Sequence, residues 1–148
     1  MKRVFVDADS CARRVRRYLL SRAKKNQIEL FFAANKDLSN GEAVPNFTMQ
    51  VCPKQSQAAD NWILENAAQG DLVVTRDIPL AASLLQKNIR VINDYGKAFD
   101  KKSVERALKE REIGIQMAEL GIGSKRRDSY GQKEFEEFAQ RLDKEIQS

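Results

Sequence analysis

The sequence predicts an α/β fold, a mostly parallel central sheet of about five strands with helices on both faces. Three observations predict it. Short apolar runs such as Val4-Phe5-Val6 and Leu72-Val73-Val74 read as buried strands. They alternate with stretches of helical spacing, the pattern of βαβ units. Acidic residues lie just past two of these runs, Asp7 directly and Asp77 after Thr75-Arg76, and so fall at the carboxyl edge where open parallel sheets bind ligands.

The elements follow in order. Residues 4–6 form the first strand. Asp9 or Ser10 is placed to cap a helix reaching about Lys25, with Cys11, Val15, Leu19 and Ala23 as its core stripe. Residues 28–34 form the second strand, 36–46 a loop and 47–51 the third strand. No helix links these two strands, which suggests that the third lies at an edge. Ser56 is placed to cap a helix over about 57–69, closed by Gly70. Residues 72–75 form the fourth strand, 79–87 a helix opened by Pro79, and 89–92 the fifth strand. A long helix over 101–120 offers Val104, Leu108, Ile115 and Met117 to the core. A glycine-bearing basic loop, 121–131, leads to a final helix over 132–146. Its stripe of Phe135, Phe138, Leu142 and Ile146 is expected to pack on the sheet or on the 101–120 helix. The length of 148 residues fits a single domain, with the helices of 101–147 packed on its core.

Composition narrows the chemistry. The chain has no histidine, which removes Ser-His and Cys-His catalysis and histidine-based metal hydrolases. Cys11 and Cys52 form no C-x-x-C pair and read as small buried hydrophobes. No apolar run is long enough to span a membrane, and Asp7 and Asp9 interrupt any leader-like segment, so a cytoplasmic protein without a membrane partner is expected. The net charge is +5, but residues 1–25 carry +7 and the remainder −2. The basic excess therefore surrounds the first acids, which suits a polyanionic partner worked on at a metal. A solvated basic helix face explains the charge equally well.

Carboxylates carry the remaining chemistry. Asp7, Asp9 and Asp77 lie just past strands, and Asp60 lies on a helix beside the small residues Ala58 and Ala59. Capping is the ordinary role of such strand-end acids, and solvation that of a helix acid. Asp94, in Asn93-Asp94-Tyr95-Gly96, is explained by turn chemistry or serves as a further ligand. Asp71 precedes its strand and belongs to the opposite edge. Two carboxylates about 5 Å apart at an effective dielectric of about 20 repel by roughly 3 kcal/mol. A cluster of them calls for a counter-charge, and Mg²⁺ or Mn²⁺ held by carboxylates and water supplies it. Asn61 and Thr75 are candidates to hold a water or phosphate. Arg13, Arg14, Arg16 and Arg17 are candidates for substrate backbone contact, although helical geometry keeps all four from sharing one face.

The stretches Val6-Asp7-Ala8-Asp9-Ser10-Cys11, Ala59-Asp60-Asn61 and Gly70-Asp-Leu-Val-Val-Thr-Arg-Asp-Ile-Pro-Leu-Ala-Ala82 resemble the bacterial YaiI/YqxD family, which is usually grouped with PIN-like domains. The likeness extends over nearly the whole chain, and the Thr-Arg-Asp-Ile-Pro-Leu-Ala segment is its most specific part. The resemblance implies a three-layer α/β/α PIN-like domain and Mg²⁺- or Mn²⁺-dependent hydrolysis of RNA phosphodiester bonds. By that analogy Asp7, Asp60 and Asp77 are the catalytic metal-binding acids, joined by Asp9. Where PIN nucleases usually carry a helix Glu, this chain carries Asp60.

Two other functions fit parts of the sequence. One is a non-catalytic nucleic-acid-binding or interaction module with a vestigial site. The other is a phosphatase of the haloacid-dehalogenase type, with Asp7 as nucleophile and Asp9 as acid/base, which needs a flap segment soon after the first strand.

Overall fold

A computed structural model describes residues 1–39, 41, 43–55, 57–119 and 130–147 of the chain. The strands are β1 (Lys2–Asp7), β2 (Ile28–Ala34), β3 (Phe47–Val51), β4 (Leu72–Val74) and β5 (Arg90–Ile92). All pair in parallel, in the order β3-β2-β1-β4-β5. The helices are α1 (Arg13–Lys24), α2 (Ala58–Asn66), α3 (Ile78–Gln86), α4 (Lys101–Glu119) and α5 (Gln132–Gln147).

The strand order explains the layers. From β1 the chain moves one way to β2 and β3, then returns to add β4 and β5 on the other side of β1. Right-handed crossovers running in opposite directions must leave their helices on opposite faces. Accordingly α1 covers one face and α2 and α3 the other. Strand alternation sorts the core in the same way. Val4, Val6, Leu30, Phe32, Leu72, Val74 and Ile92 pack with Val15 and Leu19 of α1. Phe5, Ala33, Val73 and Val91 pack with Ile63 of α2 and Leu80 and Leu84 of α3. This is a three-layer α/β/α arrangement, and both faces of the sheet are apolar as a buried parallel sheet requires. Among the described residues no helix is long and apolar enough to cross a membrane.

Strands β2 and β3 follow the sequence expectation, and β3 does lie at an edge. Other elements differ. A single 3₁₀ turn, Ala8–Ser10, separates β1 from α1, and neither Asp9 nor Ser10 caps the helix. The Asp9 carboxylate accepts from the Asn35 N–H at 2.9 Å, and the Ser10 hydroxyl donates to Asp7. The acceptor at the start of α1 is instead Asp94 Oδ2, 2.8 Å from the Ala12 nitrogen and distant in sequence. Helix α2 stops at Asn66 because Ala67 turns extended, so Gly70 is not its cap. The proposed Ser56 cap and most of the 121–131 loop lie outside the described residues. In α4, Val104 is buried against α3, but Ile115 is 51% exposed, because among the described side chains of α4 those packed on the core, Val104 and Leu108, lie in its first turns. The Met117 side chain is likewise outside the described set. Helix α5 packs on α1 rather than α4, with Phe138 and Leu142 buried and Tyr18 edge-on to Phe135.

Gly96 lets α5 close onto the turn after β5. Its φ is +84°, and a Cβ there would stand 2.5 Å from the Glu137 carbonyl oxygen, in the backbone of α5. Both the left-handed conformation and the contact exclude a side chain. Gly96→Ala is expected to cost roughly 2–4 kcal/mol, read from the midpoint of a urea unfolding curve, with α5 the element displaced.

Candidate carboxylate site at the carboxyl edge

The strand order reverses between β1 and β4, and the carboxyl ends of those two strands form the crevice where open α/β sheets bind ligands. Asp7 ends β1. Val6 faces α1, so alternation turns Asp7 toward the α2/α3 face. Val6 is in register with Val74, so Asp7 and Thr75 are the next residues along the two strands. The Thr75 hydroxyl donates to Asp7 Oδ2 at 2.9 Å and accepts from the Asp77 N–H at 3.0 Å. Ser10 Oγ donates to the same carboxylate oxygen at 2.9 Å. Asp77 then caps α3, its Oδ1 accepting from the Leu80 N–H at 2.8 Å. Asp60 lies in the first turn of α2, on the same face.

These acids perturb one another. Burial pushes the Asp7 carboxyl above its ordinary range. The Thr75 and Ser10 hydroxyls oppose that shift, and the charges of Asp77 and Asp9 add to it. Asp60 is pushed up to about 6, first by burial and then by the charges of Asp77 and Asp7, and it shares a hydrogen bond with Asp77. Asp7, Asp60 and Asp77 therefore form one interacting set at the β1/β4 crevice. Asp9 sits further out, exposed, toward β2.

The donors are all oxygen, which fits a hard divalent cation rather than a thiolate metal. Among the described residues no three acidic or cysteine side chains close around one point as a metal cage. An ion here would rest on one or two carboxylates and water, the usual manner of Mg²⁺.

Other candidates have different positions. Thr75 is 1% exposed and its hydroxyl is bonded to Asp7 and Asp77, so it orients the acids. Asn61 is exposed on α2 beside Asp60. Arg14 is committed to α5, bonded to Gln132 and lying over the Phe135 ring. Arg16 donates to the Ala8 and Cys11 carbonyls and holds the 3₁₀ turn. Arg13 and Arg17 are exposed and have no bonded partner among the described residues. Both cysteines, Cys11 and Cys52, are buried, and burial pushes their thiols up, away from the thiolate form.

Asp94 belongs to a different assembly. Ile92 faces α1, and so does Asp94 two residues on. It is 1% exposed and takes a two-point ion pair from Arg76 at 2.8 and 2.7 Å, besides the Ala12 N–H. Its backbone carbonyl accepts from the Tyr130 hydroxyl at 2.6 Å. Sequence reading missed this hub, whose only signal was an acid and a base at the ends of adjacent strands.

Two outcomes follow. The folded pKa of Asp60 lies above its unfolded value, so its contribution to stability is present at low pH and lost as pH rises through about 6. Asp60→Asn is expected to be more stable than the parent near pH 8 by roughly 1–2 kcal/mol, after allowance for solvent screening of a half-exposed group, and nearly equal to it near pH 4; thermal melts at both pH values check this. Asp94→Ala leaves Arg76 and the start of α1 unpaired and is expected to cost roughly 2–4 kcal/mol in denaturant unfolding.

Residues 5–148 match the family model described as "Uncharacterized BCR, YaiI/YqxD family". The UPF0178 protein of Treponema denticola is 35% identical over 141 residues, covering 95% of this chain and 89% of that protein. Its counterpart in Marinobacter nauticus is 34% identical over 144 residues, covering 97% and 95%. No solved structure matches the chain significantly. With one model matched from β1 to the C-terminus and relatives aligned almost end to end, the chain belongs to the YaiI/YqxD family.

Proposed function

We propose that this protein is a PIN-like, metal-dependent nuclease that hydrolyses RNA phosphodiester bonds. The observation that carries this reading is the convergence of Asp7, Asp60 and Asp77, from a strand end and two helix starts, at the β1/β4 crevice, where the charge of Asp77 helps to raise the carboxyls of Asp7 and Asp60. Evolution of a fold toward stability alone does not favour such a cluster, because each charge there opposes the next.

Asp7, Asp60 and Asp77 would hold Mg²⁺ or Mn²⁺, one or two of them directly and the rest through water, with Asp9 as an outlying ligand or orienting group. When bound, the ion would supply the charge that activates a water and stabilises the leaving oxygen of a phosphodiester. The chain supplies the rest. Thr75 fixes Asp7 and the start of α3 in one geometry, and Ser10 donates to the same Asp7 oxygen, Oδ2. Asp60, half-buried, has its carboxyl pushed up to about 6 by burial and by the charges of Asp77 and Asp7, which a bound cation would offset. Arg13 and Arg17, unpaired among the described residues at the start of α1, are available to flanking phosphates, and exposed Asn61 lies beside Asp60.

One observation favours a second reading, a nucleic-acid-binding module with a vestigial site: the described acids form no three-ligand cage. The phosphatase reading has less support, since only residues 8–12 separate β1 from α1 and leave no room for a flap.

Incubation with a mixed single-stranded RNA pool separates these readings. Cleavage is expected with Mn²⁺ or Mg²⁺, abolished by chelator and absent in Asp7→Asn and Asp77→Asn proteins that still melt cooperatively. Metal-independent RNA binding that is unchanged in Asp77→Asn, with no cleavage, would favour the vestigial module. Equal products from parent and variants would remove the nuclease claim.

A further inference from the structure

The two edges of the sheet are treated differently. The β5 edge is closed: Ala98 bridges to Ile92, the Phe99 N–H bonds to the Val91 carbonyl, and Arg90 is paired with Glu145 of α5. The β3 edge pairs with nothing among the described residues. It also lies in the longest uncharged stretch of a chain that is 32% charged, Ala43-Val-Pro-Asn-Phe-Thr-Met-Gln-Val-Cys-Pro53. Edge strands are ordinarily blunted by charges, internal proline or bulges, and β3 has none of these between Phe47 and Val51.

The register of β3 identifies which backbone groups are free. Asn46 O and Cys52 N bond to β2, so in a parallel ladder the even-numbered residues turn their backbone groups inward and Phe47, Met49 and Val51 turn theirs out. Among the described residues nothing bonds to those groups. The same three side chains face the α1 side, in register with Leu30, Phe32 and Ala34, while Thr48 and Gln50 face the other way. Beside them an apolar groove of about 570 Å³ is lined by Val44, Pro45, Phe47 and Met49. Val51, at the far end of the strand, is 50% exposed.

We infer that β3 is a homodimer interface, in which the β3 strands of two copies pair antiparallel about a two-fold axis at Met49. This register is self-complementary. The outward groups of Met49 meet those of Met49 in the second copy, and those of Phe47 meet those of Val51. Apolar side chains then oppose apolar ones, and Thr48 opposes Gln50. The exposed Val51 of each copy falls beside Phe47 and its groove in the other, so the protruding side chain and the hollow occur at matching ends. A second copy is favoured over a foreign strand because the match is to the strand itself. An uncharged contact also lets two chains of net charge +5 approach without facing like charges.

Sedimentation velocity over a concentration series tests this together with oxidative cross-linking. The parent protein is expected to double in mass as concentration rises, and Val51→Lys, a change at a half-exposed position, to remain monomeric with an unchanged circular dichroism spectrum. Met49→Cys places a thiol opposite itself, at the Cα spacing of about 5.5 Å that a disulfide spans, and is expected to form a covalent dimer under mild oxidation. Thr48→Cys, which faces Gln50, is expected not to. A parent that stays monomeric at the highest concentration, a Val51→Lys dimer as strong as the parent's, or cross-linking of Thr48→Cys as efficient as that of Met49→Cys would overturn the inference.

Discussion

The hydroxyl of Thr75 joins the two halves of the sheet at the point where the chain reverses direction. It donates to Asp7, at the end of β1, and accepts from the backbone of Asp77, where α3 begins. Its burial leaves no water to substitute for either bond, so the relative position of the two acids is set by one oxygen. Because β1 and β4 are neighbours only through the reversal of strand order, this bond also fixes where the crevice opens. Without it Asp7 would lose a donor that counteracts its burial, and the start of α3 would be tied to β1 by the sheet ladder and apolar packing, with no direct polar link between the two acids' segments among the described residues.

A second polar assembly, on the other face, draws the neighbouring base Arg76 away from the first. Arg76 lies between Thr75 and Asp77 in sequence, yet its guanidinium turns away to pair with Asp94 and lie over the Tyr95 ring. The base next to the acids is thereby directed to the α1 side, where it and Asp94 organise the start of α1 and the segment leading into α5. Had it folded the other way, Asp7 and Asp77 would have had a built-in counter-ion. The acids instead repel one another, and Asp60 carries the consequence in its raised pKa.

Much of this was legible in the sequence. The apolar runs gave β2 and β3 to the residue, and Asp7 and Asp77 were readable as strand-end acids. The period-two alternation that sorts the core also separates Asp7 and Thr75 from Asp94, since each keeps the parity of its strand. The parts that were not legible depend on distant partners. Asp9 and Ser10 have the composition of helix caps, but Asp9 is drawn to Asn35, Ser10 to Asp7, and the start of α1 is met by Asp94 across the sheet. Arg14 reads as a free base until α5 folds back over it. Asp60 had no local signal beyond small neighbours, and only the packing of α2 on the same face as α3 brings it to the other acids. The stripe of α5 correctly marked a packed helix, but amphipathicity does not identify the surface it packs against.

The central claim is that Asp7, Asp60 and Asp77 act as a single electrostatic unit. Carboxyl ¹³C chemical shifts followed through a pH titration test it most directly, in the parent protein and in Asp77→Asn without added metal. The account predicts an Asp60 midpoint near 6 in the parent that moves down, toward ordinary aspartate behaviour, when the Asp77 charge is removed. An Asp60 carboxyl that titrates at its ordinary value of 3.8 in both proteins would contradict it.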